Sequence, residues 1–116
     1  MNPIATWSIP FVPKSPNELR GKSWILAWKQ SRDWRTFVAA VCGRPKNPCK
    51  DRRRLEITTH RKRRLDPDNA VASIKPVLDA LTNAGWIRDD SAKWLELEVR
   101  QEVGLHQTGI VLREIK

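Results

Sequence analysis

Leu55, Ile57 and Thr59 alternate with Glu56, Thr58 and His60. That is the period of two expected of a strand with one buried face. A longer alternation runs from Trp94 to Val103, with Leu95, Leu97, Val99 and Val103 on one side and Glu96, Glu98, Arg100 and Glu102 on the other. It predicts a second strand with one wet face. Gly104 to Gly109 has the length of a hairpin connection, so Ile110 to Ile115 is expected to pair back as a last strand. Near the start, Ala5 to Val12 is rich in β-branched and aromatic residues and interrupted by Pro10, with Pro13 just beyond. Proline cannot donate to a ladder, which predicts an edge strand running into a turn. The KSPNELRGK stretch that follows reads as a basic loop.

Two segments carry helical spacing instead. From Ser23 to Cys42, Trp24, Trp28, Val38 and Val41 recur with Trp34 or Phe37 between them, and Gly43 with Pro45 supplies a stop. Trp24 and Trp28 lie one turn apart on this apolar face, so core packing is expected of them rather than base stacking. From Val71 to Ala84, Ile74, Val77, Leu78 and Leu81 share a face that ends at Gly85. Pro76 permits two readings: a helix with Ser73 as N-cap and Pro76 in its tolerant first turn, which is preferred, or one that starts near Asn69 and kinks. The order is strand, helix, strand, helix and two strands. This predicts a small α/β protein in which residues 1–116 form one domain without repeats or linkers.

Composition adds a sign. The 116 residues carry a formal charge of +9, with 40% hydrophobic and 30% charged residues. The composition is globular, and the charge suggests a polyanionic partner, most often nucleic acid. Cys42 and Cys49 match no metal-ligand spacing and are too few for a disulfide framework, which fits a reduced cytoplasmic setting. The N-terminal MNPIATWSIPF has no export signature, and no run of 18 apolar residues suggests a membrane span.

The charges are not spread evenly. Arg52, Arg53 and Arg54 bracket one end of the Leu55 strand, and Arg61, Lys62, Arg63 and Arg64 the other, a scale suited to holding several phosphates. Just beyond lie Asp66 and Asp68, which in an extended segment would point to the same side across Pro67. Asp89 and Asp90 follow the helix, and a turn there would return one of them toward the first pair, with Lys75 in the same unit. Carboxylates gathered in a basic protein repel one another and oppose DNA binding, a conflict that a bound hard cation resolves. The structural alternative is that Asp68 or Asn69 caps the helix and that Asp89 or Asp90 holds a turn. His60 and His106 have no partner at metal or triad spacing, and neither a nucleophile elbow nor a glycine-rich phosphate loop is present.

The run Asp66-Pro67-Asp68-Asn69, then Lys75 to Leu81 (KPVLDAL), then Ala84-Gly85 and Asp89-Asp90 resembles the RusA family of Holliday junction resolvases, many of them encoded by phages and prophages. The resemblance covers about 25 residues in order and spacing. It implies a mixed β-sheet packed by two main helices, in a homodimer that nicks two opposed strands of a four-way DNA junction with Mg²⁺, for which Mn²⁺ can substitute. Carried over by position, Asp66, Asp68 and Asp90 would bind metal and Lys75 would be the catalytic lysine. This chain has three more residues between Asn69 and Lys75 than the bacterial prototype, nearly one helical turn. Two other readings stand beside it: a nuclease for flaps or other branched replication intermediates, and a non-catalytic nucleic-acid-binding module whose acids are caps and turns.

Overall fold

The computed structural model describes residues 3–19, 21 and 24–115. Its elements run β1 (Pro3–Ile9), α1 (Pro16–Leu19), α2 (Trp24–Val41), β2 (Arg53–Arg61), α3 (Pro67–Ser73), α4 (Lys75–Ala84), β3 (Leu95–Val103) and β4 (Gln107–Glu114). The four strands form one mixed sheet in the order β1-β4-β2-β3, with β2 and β3 parallel and the other pairs antiparallel. The small α/β fold expected from the sequence is thus present, and β1 is an edge strand.

The core lies between one sheet face and the helix pair α2 and α4. Leu55, Ile57, Ile110, Leu112 and Leu95 meet Trp34, Val38, Ile74, Val77, Leu78 and Leu81 there, with Ile9 and Ile87. The opposite face holds the outward residues of the same alternation. Arg54 pairs with Glu56 at 3.0 Å and Glu98 at 2.7 Å, and Arg113 reaches Glu56 at 3.1 Å. Burial pushes the Glu56 carboxyl up, but hydrogen bonds from Arg54 and Arg113 outweigh it and leave it below the ordinary carboxylate value. The glutamate stripe of β3 is therefore an ion-pair surface rather than a merely solvated face. Cys42 and Cys49 are free thiols, both buried, and desolvation pushes Cys42 up to about 11. A thiol so protonated is unreactive.

Several expectations change. The last two strands are not a hairpin: β4 inserts between β1 and β2, so the Gly104–His106 connection steps over the end of β2. The Gly104 amide donates to the Arg61 carbonyl at 2.8 Å at that crossing. β2 is the strand with the most buried inner face, and flanking it on both sides satisfies its backbone. Second, Trp24 and Trp28 are not core, being 77% and 51% exposed, and Val41 is 40% exposed. The buried stripe of α2 is Gln30, Trp34 and Val38, continuing to Cys42 just past its end, and residues 24–29 are all exposed. Ser23, the expected first residue of this helix, lies outside the described residues. Third, the stretch read as a loop contains α1, whose start is a capping box: Ser15 Oγ accepts from the Glu18 amide at 3.2 Å, and the Ser15 amide donates to Glu18 Oε1 at 3.3 Å.

The second helical segment is two helices. α3 begins at Pro67, earlier than either sequence reading, and breaks at Ile74 (φ −85°, ψ 0°). Pro76 then stands in the first turn of α4, where its missing amide costs nothing. Ser73 is not the N-cap of α4; Ile74 is, and Ser73 Oγ instead donates to the Ala70 carbonyl at 2.8 Å. α4 ends as expected at Gly85, with φ +96° and its amide bonded to the Leu81 and Thr82 carbonyls.

Gly85 and Trp24 make opposite predictions. A Cβ at position 85 would force a left-handed conformation on an L residue and meet Pro48 Cα at 3.4 Å. Gly85→Ala should cost about 1–2 kcal/mol, read as a lower denaturant midpoint at unchanged slope. Trp24→Ser should shift stability by no more than about 0.5 kcal/mol in the same experiment, as expected of an uncovered side chain.

Candidate functional site

The site begins where β2 ends. The inward positions of β2 are Leu55, Ile57, Thr59 and then Arg61, which is only 6% exposed. Arg61 Nη2 donates to the Pro13 carbonyl at 2.6 Å and to Ser73 Oγ at 3.3 Å. One guanidinium thus joins the end of the central strand to the β1–α1 loop and to the last turn of α3. Four residues on, the Gln101 side chain clamps the backbone of Leu65. Its Oε1 accepts from the Leu65 amide at 2.8 Å and its Nε2 donates to the Leu65 carbonyl at 2.9 Å. The chain entering α3 is therefore tied to β3 immediately before Asp66.

Asp66 occupies the N-cap position of α3, and its carbonyl accepts from the Ala70 amide at 2.8 Å. Pro67 and Asp68 follow in the first turn. Proline with its fixed φ suits a first helical position, and carboxylates are favoured at the positive end of a helix. Asp68 is hence helical rather than extended, and the same-side geometry expected of two residues in a strand does not apply. Asp66 makes no side-chain capping bond. Both carboxylates are exposed, and neither forms a side-chain hydrogen bond or ion pair with a described residue. Asp68 therefore does not act as a side-chain cap of α3, whereas the turn-holding half of that structural alternative applies to Asp90, whose carboxyl bonds backbone within its own turn.

Asp90 reaches the start of α4 from its far end. The ten residues of α4 rise about 15 Å, and a return of five residues spans up to about 17 Å, so Asp90 can come back level with Lys75. The return is pinned by buried Ile87 and by Trp86, whose Nε1 donates to the Gly43 carbonyl at 3.0 Å and whose ring meets Trp7 edge-on. Lys75 Nζ bonds Asp90 Oδ2 directly and lies 3.2 Å from Asp79 Oδ1. Asp89, next in the chain, is exposed.

Lys75 and Asp90 are thus brought together. Asp66, Asp68 and Asp90 are not gathered as one ligand set: among the described residues no group of three or more His, Cys, Asp or Glu side chains is placed to hold a metal ion. As donors they remain suited to a hard cation, since Asp66 and Asp68 offer unshared carboxylate oxygens at the surface. Asp79 is a member of the site that the sequence reading passed over. Its signal was the lysine-to-aspartate spacing of four, which puts both on one helix face.

The seven basic residues divide sharply. Lys62, Arg63 and Arg64 are exposed and bond no described side chain, and they lead directly into Leu65 and Asp66. Arg61 is buried, and Arg53 donates to the Trp86 carbonyl at 3.0 Å. Arg54 belongs to the ion-pair face, and Arg52 pairs with Glu96 at 3.3 Å. Of the two basic clusters, the one at the end of β2 nearest the acids is the one that keeps side chains uncommitted to any described partner. The chain matches no model of a known protein family and no curated protein.

Hydrogen bonding to Lys75 is the main reason that the Asp90 carboxyl lies below its ordinary 3.8, and the same bond, with Asp79 adding to it, raises Lys75 above 10.5. The pair's contribution to stability is complete above pH 3.8 and disappears as pH falls through the depressed value of Asp90. At the other end it is complete below pH 10.5 and is lost as pH rises through the raised value of Lys75. Lys75→Met should move the Asp90 carboxyl titration, followed by carbon NMR of the side chain, back up toward the ordinary value. An unmoved midpoint would contradict the pairing. The stability change should be small, because Lys75 is 60% exposed and solvent screens it.

Proposed function

We propose that this protein is a divalent-metal-dependent endonuclease for branched DNA, with the four-way junction as its substrate. The observation that supports it best is the pair Asp66 and Asp68. In a chain of charge +9, two exposed carboxylates stand uncapped and unpaired directly after three free cations, which is the electrostatic conflict a metal ion on a phosphodiester would resolve. The sequence resemblance to RusA-type resolvases, carried by Asp66 to Asp90, gives the reading its substrate.

Asp66 and Asp68 would offer the first oxygens to Mg²⁺, with Mn²⁺ able to substitute, and Asp90, which is not gathered with them in the ion-free chain, would have to move toward them to complete the set. When bound, such an ion supplies charge neutralisation on the phosphate and acidifies a water. Lys75 would then face the charge developing on the scissile phosphate, with Asp79 and Asp90 orienting its ammonium. Lys62, Arg63 and Arg64 would hold the backbone leading into the acids. A second copy of the chain would present an equivalent site to the opposed strand, because a junction with two-fold symmetry suits a two-fold dimer. The setting would be cytoplasmic DNA recombination and repair. Among the described residues no helix is long and apolar enough to cross a membrane.

Purified protein incubated with a synthetic four-way junction and Mg²⁺ should yield paired symmetric nicks. Asp68→Asn should retain junction binding while cleaving at about one hundredth of the wild-type rate or less. An intact junction under conditions where the wild type binds it would refute the proposal, and faster cleavage of a flap would reassign the substrate. Replacing Lys62, Arg63 and Arg64 by alanine should flatten the dependence of log affinity on log salt by about 2–3.

A further inference from the structure

Arg61 carries more charge into the interior than its partners balance. Its two hydrogen-bond acceptors, the Pro13 carbonyl and Ser73 Oγ, are neutral. Its Nε is buried with no partner, and it forms no ion pair among the described residues. Burial accordingly pulls the guanidinium below its ordinary value, and the charge of Glu18 opposes the shift. A buried cation whose hydrogen-bond partners are all neutral, and whose only nearby opposing charge among the described residues is the unbonded Glu18, favours a further counter-charge.

What lies next to it is a cleft of about 540 Å³ between the β1–α1 loop, the segment from Arg61 to Leu65 and the β3–β4 connection. Lys14, Lys62 and Arg63 line it together with Arg61 and His106, and Glu18 is the only carboxylate among its lining residues. Four cations thus face one acid. The side chains of Lys14, Lys62 and Arg63 are committed to no described carboxylate, unlike Arg52 and Arg54 at the other end of the same strand. The cleft is wider than one anion needs, with room for the sugar that carries it.

We propose that this cleft is a phosphate-binding subsite, in which Lys14, Lys62 and Arg63 hold one phosphate group beside the buried charge of Arg61. Several cations brought together from two segments, Lys14 from one and Arg61, Lys62 and Arg63 from the other, suit the many oxygens of a phosphate better than the two of a carboxylate. Leu65 also lines the cleft, and Asp66 follows it, so a strand whose scissile bond lies at the acids would place a neighbouring phosphate here. That last step rests on the nuclease reading; the phosphate site itself does not.

The test is thermal denaturation in sodium phosphate against sodium chloride at equal ionic strength. It compares wild type, a Lys14→Ala/Arg63→Ala variant, and an Arg35→Ala/Arg44→Ala variant of equal charge change outside the cleft. Phosphate should raise the Tm of the wild type and of the control, the rise growing with concentration, and the cleft variant should lose most of that rise. The three cations of the cleft wall are exposed, and Lys62→Ala gives the same readout if the double variant folds poorly. Equal stabilisation by chloride, or the same phosphate response in both double variants, would overturn the site. A DNA trinucleotide without terminal phosphates and its 5′-phosphorylated form then distinguish the source. Stabilisation by the first places an internal phosphate of a strand in the cleft, by the second alone a strand end, and by inorganic phosphate alone a free anion. Junction cleavage is scored separately, so an inactive protein that still shows the cleft response refutes the nuclease and keeps the site.

Discussion

The end of β2 is the point on which this fold turns. A strand with alternating burial must place its last inward residue somewhere, and here that residue is Arg61. Because a guanidinium cannot simply be packed like isoleucine, the structure converges on it: the β1–α1 loop offers the Pro13 carbonyl, α3 offers Ser73, and the β3–β4 connection binds the Arg61 backbone through Gly104. Three chain segments distant in sequence thereby meet at one residue. Asp66 and Asp68 follow five and seven residues after Arg61, so the constraint that closes the fold also fixes where these two carboxylates stand.

Much of this was legible. Leu55, Ile57 and Thr59 face inward as their alternation requires, and Ile74, Val77, Leu78 and Leu81 form the buried face of the α3–α4 segment. The same alternation, continued two positions, already aimed Arg61 inward. Its place in the run Arg61 to Arg64 hides this, because a run of cations looks like one surface. Trp24 and Trp28 show the complementary error. Helical spacing tells which residues share a face, but it does not tell how far the opposing surface extends, and nothing described covers residues 24–29. The crossing of β4 over β2 was out of reach for another reason: a short connection is compatible with pairing to the adjacent strand or stepping past it, and only the sheet order decides.

For the site, residue type and spacing carried further than local conformation. Asp66 and Asp68 are where a pair of carboxylates was expected, yet Pro67 starts a helix instead of continuing a strand, and this changes the angle between them. Lys75 and Asp90 meet because the rise of α4 matches the reach of the return from Gly85. That match was implicit in the length of the segment. Gln101 and Asp79, which hold the approach to Asp66 and the ammonium of Lys75, carry signals that only a known partner makes readable: a glutamine on a strand, and one lysine–aspartate pair among several.

The spacing between Asp68 and Lys75 acquires a different meaning once the break at Ile74 is seen. In an unbroken helix it would set a calculable angle between the two side chains, and the direction of Lys75 would follow from counting. With the helix interrupted, the two ends are set independently. Ser73 is fixed from below by Arg61, while Val77 and Leu78 are fixed by the core beneath α4. Lys75 lies between these two anchors, beside Pro76, whose missing amide makes the interruption inexpensive. Its orientation therefore follows from where α3 and α4 are held and not from the number of residues between Asp68 and Lys75. A chain can change that number and still deliver its lysine to Asp90, provided both anchors stay in place.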